Sequence, residues 1–224
     1  MNKRFFTAVI ILFIFFSSKI NAQEPLPYYN DIQRFHSLDS ATFPASGQIL
    51  FIGSSSFTIW KDVNDYFPGY NVLNRAFGGS RIVDLIRYRY DVIFPYAPRQ
   101  IVMYCGENDF ASPDKPAVDE VVGRFETLYR YIRQKYPQTP FLYVSMKPSV
   151  ARKDLTDKFR EANNRIKSFL QNQPHTAFAD TFSAMLDKNG NVMTDIFIQD
   201  NLHMNAKGYA IWQKVLKPYL IKKK

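Results

Sequence analysis

Short apolar runs alternate with longer amphipathic stretches along most of the chain, and this alternation limits the folds that it can adopt. Apolar runs bounded by turn-forming residues predict buried strands. Such runs occupy residues 49–52, 71–73, 101–104, 141–144 and 177–179. Because strands that alternate with helices form parallel sheets covered by those helices, we predict an α/β fold, a three-layer α/β/α sandwich with about five parallel strands.

The stretches between the predicted strands carry helical periodicity. Residues 118–135 and 155–172 place apolar side chains three or four positions apart, so each stretch has one apolar face. A shorter helix is predicted over residues 82–92, and a last one over residues 206–220. These helices provide the crossover connections that a parallel sheet requires.

The first residues have the pattern of a secretory signal. Two basic residues precede an apolar run over residues 5–16, and Ala22 provides a small residue for cleavage. The run is shorter than the roughly 20 apolar residues that a membrane span requires. We therefore predict that residues 1–22 are a signal peptide and that the protein is secreted or periplasmic. An uncleaved anchor is the alternative, because Ile20 is large for its position before the cut.

One domain is predicted after this leader, because 224 residues can bury one sizeable core but are few for two. Residues 23–46 are rich in Pro, Asp and Ser and show no sustained period. They are predicted to form an N-terminal arm, with a short helix over residues 31–36. The domain itself is predicted to cover residues 47–224, and its oligomeric state stays open.

The charge gives little sign of a macromolecular partner. A net charge of +9 would suit an anionic partner, but the basic residues are scattered. We predict no nucleic-acid partner, because no basic helix has interleaved aromatic residues, and no stable membrane insertion after signal cleavage. The single cysteine, Cys105, allows no intramolecular disulfide and ends an apolar run, so a buried, unreactive thiol is expected rather than a nucleophile.

Small and polar residues follow three predicted strands, at the edge where open parallel sheets bind ligands. They are Gly53 with Ser54, Ser55 and Ser56 after the first strand, Gly78 with Gly79 after the second, and Gly106 with Asn108 after the third. A serine at such a turn can expose a nucleophilic hydroxyl, and a glycine N–H or an asparagine amide can stabilise an oxyanion. Each feature also has a purely structural interpretation as a helix cap or a turn.

Asp200 and His203 lie on a short predicted loop before the last helix. An Asp three positions before a His can accept a hydrogen bond from Nδ1, which fixes the tautomer and leaves Nε2 as a base. A metal site would need further ligands, and no nearby Cys or His supplies them. We therefore favour an acid–base pair over a metal site.

The three segments after the strands and the Asp200–His203 loop form four sequence blocks. In this order they resemble the blocks of the SGNH hydrolase superfamily, also called GDSL-type esterases and lipases, and within it the compact acetylhydrolase-like branch. The resemblance covers about residues 48–220 and implies a flavodoxin-like fold with no metal and no organic cofactor. The sequence departs from the family's pattern at Ser54, where the family often has Asp. The resemblance implies a catalytic triad of Ser55, Asp200 and His203 and an oxyanion hole of Ser55, Gly79 and Asn108, with Gly78 as the alternative to Gly79.

The implied activity is that of a secreted serine esterase that forms an acyl-enzyme intermediate. Its expected substrate is a small-molecule or glycan ester with a short acyl group, acetyl first. The alternatives are a lipase or phospholipase-type acylhydrolase at membrane surfaces and a non-catalytic carbohydrate-binding relative. Phe57, Trp60 and Phe77 are predicted either to form an acyl or sugar platform or to lie in the core. Lys147-Pro148-Ser149, after the fourth strand, receives no role.

Overall fold

Five parallel strands form the centre of the molecule, in the spatial order β2-β1-β3-β4-β5. The computed structural model describes residues 26–222. The strands are β1 (Ile49–Gly53), β2 (Val72–Asn74), β3 (Gln100–Tyr104), β4 (Phe141–Val144) and β5 (Thr176–Ala179). All four pairings between neighbours are parallel, so the predicted α/β fold and its strand number are confirmed.

The central strands are almost entirely apolar because both of their faces are covered. Along β1, Leu50 and Ile52 point into one hydrophobic cluster, whereas Ile49 and Phe51 point into the other. A strand buried on both sides has a continuous apolar run in place of an alternating pattern. This explains why the strand positions could be predicted from runs alone.

Helices cover both faces of the sheet, as a three-layer sandwich requires. They are α1 (Tyr29–Ala41), α2 (Ser55–Ile59), α3 (Val63–Tyr66), α4 (Ile82–Arg87), α5 (Arg89–Val92), α6 (Glu107–Phe110), α7 (Val118–Lys135), α8 (Thr156–Gln171), α9 (Thr181–Ala184) and α10 (Ala206–Leu216). One face buries side chains of α1, α4, α5, α7 and α8. The opposite face buries side chains of α2, α3 and α10.

Two predicted helices end earlier or divide in the structure. The predicted helix over residues 82–92 is divided into α4 and α5 at Tyr88. The predicted helix over residues 206–220 ends at Leu216 and continues as a 3₁₀ turn, Lys217–Tyr219. Pro218 lies in that turn, and a proline offers no N–H to extend an α-helix. A second 3₁₀ turn, Val150–Leu155, precedes α8.

The predicted N-terminal arm contains a longer helix than its sequence suggests. Helix α1 has 13 residues, and its Ile32 and Phe35 belong to the main hydrophobic core. Asp39 near its end forms a partly buried ion pair with Arg75. The predicted signal over residues 1–22 lies outside the described residues. No helix within residues 26–222 is long and apolar enough to span a membrane.

The carboxyl ends of β1 and β3 approach so closely that only a glycine fits between them. Gly53 has a φ of +133°, and a Cβ atom there would lie 1.8 Å from the Tyr104 carbonyl oxygen. Gly106 has a φ of +134°, and a Cβ atom there would lie 2.9 Å from the Met146 side chain. Both glycines precede residues of the predicted site, so this approach determines the position of that site.

We predict that Gly53→Ala destabilises the protein by at least about 3 kcal/mol, since the methyl group would overlap a backbone carbonyl at a φ that L-residues rarely adopt. Gly123→Ala is the matched control. Gly123 lies within α7, and a Cβ atom there meets nothing within 4 Å. This control should stabilise by about 0.5–1 kcal/mol. Urea unfolding followed by circular dichroism measures both changes, and equal stabilities would contradict the close approach.

Candidate active site

The three consecutive serines after β1 have different surroundings. Ser54 is 4% exposed, and its hydroxyl accepts a hydrogen bond of 2.7 Å from the Asn108 amide. Ser56 is 1% exposed, and its hydroxyl lies 3.5 Å from the Tyr104 hydroxyl. Ser55 is only partly buried, and its hydroxyl has no hydrogen-bond partner among residues 26–222. Of the three, Ser55 therefore offers the free hydroxyl.

Asp200 and His203 are hydrogen-bonded to each other, as their spacing predicts. The Nδ1 atom of His203 lies 2.5 Å from Oδ2 of Asp200. The other carboxylate oxygen, Oδ1, accepts the backbone N–H groups of Leu202 and His203 at 2.9 and 2.8 Å. With Nδ1 donating to the carboxylate, Nε2 of the imidazole carries the free lone pair.

The loop geometry lowers the pKa of the Asp200 carboxyl. Partial desolvation raises this pKa, but the hydrogen bonds from the His203 backbone, the His203 imidazole and the Leu202 backbone outweigh it. The pKa of Asp200 falls to about 2 as a result. The carboxylate is therefore ionised throughout the neutral range and can stabilise a positive imidazolium beside it.

A small cavity of about 10 Å³ connects the strand ends to this loop. Its lining includes Ser55 after β1, Asn108 in α6 and Leu202 from the Asp200–His203 loop. The loop is attached to the opposite wall by a 3.1 Å hydrogen bond from the Ala151 N–H to the Asn201 carbonyl. The hydroxyl of Ser55 and the imidazole of His203 do not bond to each other here. In active sites such bonds often tighten only with substrate in place.

The backbone N–H groups of Ser55 and Gly79 have no acceptor within residues 26–222, and the N–H of Gly78 has none either. Gly79 has a φ of +79°, and its carbonyl accepts a 2.8 Å hydrogen bond from the Tyr28 hydroxyl. Gly78, the alternative from the sequence, lacks a positive φ. The contact from Tyr28, at the start of α1, fixes the Gly79 peptide and was not expected from the sequence.

The Asn108 side chain lies between the β1 turn and the turn after β2. Its amide nitrogen donates to the Ser54 hydroxyl at 2.7 Å and to the Ser80 carbonyl at 3.1 Å. Its carbonyl oxygen accepts a 2.7 Å hydrogen bond from Arg152. Asn108 is thus oriented with its donor group toward the serines.

A charged cluster that the sequence did not predict lies behind Asn108. Glu107 and Lys147 are buried and form an ion pair of 3.3 Å, and Arg152 approaches the same carboxylate at 3.4 Å. Burial lowers the pKa of Lys147, and the charge of Glu107 opposes that effect. The Lys147-Pro148-Ser149 segment thus has a place in the site. Of the two roles that the sequence left open for Phe57, Trp60 and Phe77, the structure shows burial in the core.

Cys105 also lines the small cavity, but it is a buried thiol. Burial raises the pKa of the Cys105 thiol well above its ordinary value, as expected for an unreactive cysteine. Within the described part of the chain, no three His, Cys, Asp or Glu side chains come together as a metal-binding group.

Comparison with known proteins identifies the family. The model of the GDSL-like lipase/acylhydrolase family matches residues 52–211, from the end of β1 into α10. The chain belongs to this family. It is therefore a GDSL-type (SGNH) serine hydrolase that acts on ester bonds, as the sequence blocks predict. No curated protein matches the chain.

Solved structures with the same fold include other members of this family. A Streptococcus pneumonia protein described as a candidate platelet activating factor is 22% identical, with a TM-score of 0.75 over 86% of this chain and 92% of that chain. A GDSL-like lipase from Bacteroides thetaiotaomicron is 20% identical, with a TM-score of 0.72 over 84% and 96%. A catalytic mutant of an acetylxylan esterase from Geobacillus stearothermophilus is 12% identical, with a TM-score of 0.62 over 80% and 97%.

The hydrogen bonds at Asp200 predict an NMR-detectable change in its pKa. In the wild type, the carboxyl should titrate near pH 2. In His203→Ala the imidazole bond is lost, so the pKa should rise toward the ordinary value of about 3.9. His175→Ala is the control, since His175 is exposed and makes no contact with Asp200. Carboxyl ¹³C shifts measure this.

The same pKa fixes the sign of a pH effect on stability. Because the pKa is lower in the folded state, Asp200 stabilises the fold above its unfolded-state pKa of about 3.9, and this contribution is lost as the pH falls toward 2. A wild-type carboxyl that titrates at the ordinary value would contradict the loop geometry.

Proposed function

We propose that this GDSL-family hydrolase is a secreted esterase that removes short acyl groups, acetyl first, through Ser55, His203 and Asp200. The observation that carries the proposal is the free Ser55 hydroxyl, which lines one cavity with Asn108 and with the residue next to His203. The Asp200–His203 hydrogen bond supports the assignment of the base. The signal pattern of residues 1–22 supports export.

In the proposed reaction, Ser55 Oγ attacks the ester carbonyl while its proton passes to Nε2 of His203. Asp200 keeps the imidazole in the Nδ1–H tautomer and stabilises the imidazolium that forms. Collapse of the tetrahedral intermediate breaks the bond to the alcohol, which takes the proton from Nε2. Water then attacks the acyl-enzyme by the same route and releases the acid and the free Ser55 hydroxyl.

The proposed oxyanion hole uses the backbone N–H groups of Ser55 and Gly79 together with the Asn108 amide. Both N–H groups lack acceptors within residues 26–222, so neither would have to give up a protein hydrogen bond. The Asn108 amide donates to the Ser54 hydroxyl and to the Ser80 carbonyl in this structure, and a developing oxyanion would compete with these two acceptors. A negatively charged oxygen is the stronger acceptor.

The cavity beside Ser55 favours a short acyl group. At about 10 Å³ it is about the size of one water-sized sphere. Its walls include Glu107, Lys147 and Arg152, and polar walls do not favour an alkyl chain. Acetylxylan esterases among the structural neighbours are consistent with an acetylated glycan as substrate.

Replacement of each serine in turn tests the nucleophile. Ser55→Ala should lower kcat for p-nitrophenyl acetate by at least about 10⁴-fold and leave Tm nearly unchanged, because the hydroxyl has no partner to lose. Ser54→Ala and Ser56→Ala are the matched controls and should keep measurable turnover. A fluorophosphonate probe should label every variant except Ser55→Ala. Full activity in Ser55→Ala beside an inactive neighbour variant would refute the assignment.

A lipase acting at a membrane surface is the second candidate, which the net charge of +9 favours. Chain-length preference separates the two functions. We expect kcat/KM for the acetyl p-nitrophenyl ester to exceed that for the octanoyl ester by about tenfold or more, since the cavity beside Ser55 is small and three charged side chains line it. Faster hydrolysis of the octanoyl ester, with or without anionic vesicles, would favour the lipase.

A further inference from the structure

The charged cluster behind Asn108 has one centre, the Glu107 carboxylate. It accepts hydrogen bonds from the Tyr104 hydroxyl, the backbone N–H of Lys147 at 3.0 Å and the Lys147 ammonium at 3.3 Å. Arg152 approaches the same carboxylate at 3.4 Å. A buried carboxylate with this many donors is fixed in position.

The two cations of this cluster have different environments. Lys147 is 1% exposed and is hydrogen-bonded only to Glu107 among the described residues, so it offsets that carboxylate. Arg152 lies on the 3₁₀ turn before α8 and lines the cavity beside Ser55. Its second terminal nitrogen donates to Oδ1 of Asn108 at 2.7 Å. The guanidinium therefore presents its positive charge to the carbonyl oxygen of Asn108.

Arg152 determines which end of the Asn108 amide faces the Ser54 hydroxyl and the Ser80 carbonyl, next to Ser55 and Gly79 in the chain. A rotation of the amide by 180° would bring its NH₂ group against the guanidinium and its oxygen against the Ser80 carbonyl. The Ser54 hydroxyl can donate or accept, so it does not select between the two orientations. The guanidinium and the Ser80 carbonyl therefore determine the orientation of the Asn108 amide.

We propose that Arg152 is a positioning residue of the oxyanion hole, which holds the Asn108 amide with its N–H groups toward the turn that carries Ser55 and polarises them. This inference rests on the proposed function, because it acts through Asn108. Hydrogen bonding at Oδ1 strengthens the donors at the other end of the same amide. Glu107 and Lys147 hold the guanidinium at that position.

A double-mutant cycle in the full-length protein tests this inference. Asn108→Ala should lower kcat for p-nitrophenyl acetate by about 100- to 1000-fold. Arg152→Met should lower kcat by about 10- to 100-fold, with KM changed less than about twofold, because a misplaced donor affects the transition state. The double variant should be no slower than Asn108→Ala alone, since Arg152 then has no amide to orient.

Two further variants separate positioning from folding. Arg152→Lys should regain part of the lost kcat, because an ammonium can still donate to Oδ1 although it lacks the fork of a guanidinium. Lys153→Met, the adjacent exposed cation on the same turn, should keep wild-type kcat and Tm. If Arg152→Met does not fold, Arg152→Lys replaces it in the cycle with Asn108→Ala.

The outcomes distinguish this inference from the proposed function. If the fold-losses in kcat of Asn108→Ala and Arg152→Met multiply in the double variant, Arg152 does not act through Asn108. This result would refute the role of Arg152 and leave the oxyanion hole intact. Unchanged kcat in Arg152→Met would refute it equally. If Asn108→Ala itself keeps wild-type kcat, the oxyanion role of Asn108 fails, and the role of Arg152 fails with it.

Discussion

The close approach of β1 and β3 at their carboxyl ends is the constraint on which the site depends. Gly53 leaves no room for a side chain against the Tyr104 carbonyl, and that carbonyl accepts the Ser54 N–H at 3.0 Å. This contact aligns the turn that carries Ser55 with the turn that carries Asn108. Residues separated by about 50 positions thereby line one cavity, and the core on either side of the sheet keeps them there.

The fold was largely predictable because its signals are local and repetitive. Strands buried on both faces appear as apolar runs, and α7 begins and ends at the residues that its periodicity predicts. The length of α1 was not predictable, because Ile32 and Phe35 are its only fully buried apolar side chains and make a weak pattern. The division at Tyr88 likewise has no clear marker in the sequence.

At the site, contacts between residues close in sequence could be predicted, whereas contacts between distant residues could not. The Asp200–His203 pair could be predicted because both partners lie on one short loop, and its hydrogen bonds have the expected geometry. The contacts of Arg152 with Asn108 and of Tyr28 with Gly79 join residues 44 and 51 positions apart. No spacing rule connects such pairs, and only the folded backbone brings them together. The catalytic roles of Ser55, Asp200 and His203 themselves stay predictions.

The unequal walls of the small cavity limit how this scaffold can acquire new substrates. On one side, Lys147 and Arg152 both pair with Glu107, so trimming Glu107 leaves two cations without their counter-charge. On the other side, Leu202 contributes an apolar side chain from a surface loop. Enlargement of the cavity for bulkier esters, in evolution or in the laboratory, should therefore destabilise the protein less on the side of the loop than on the side of the charged residues.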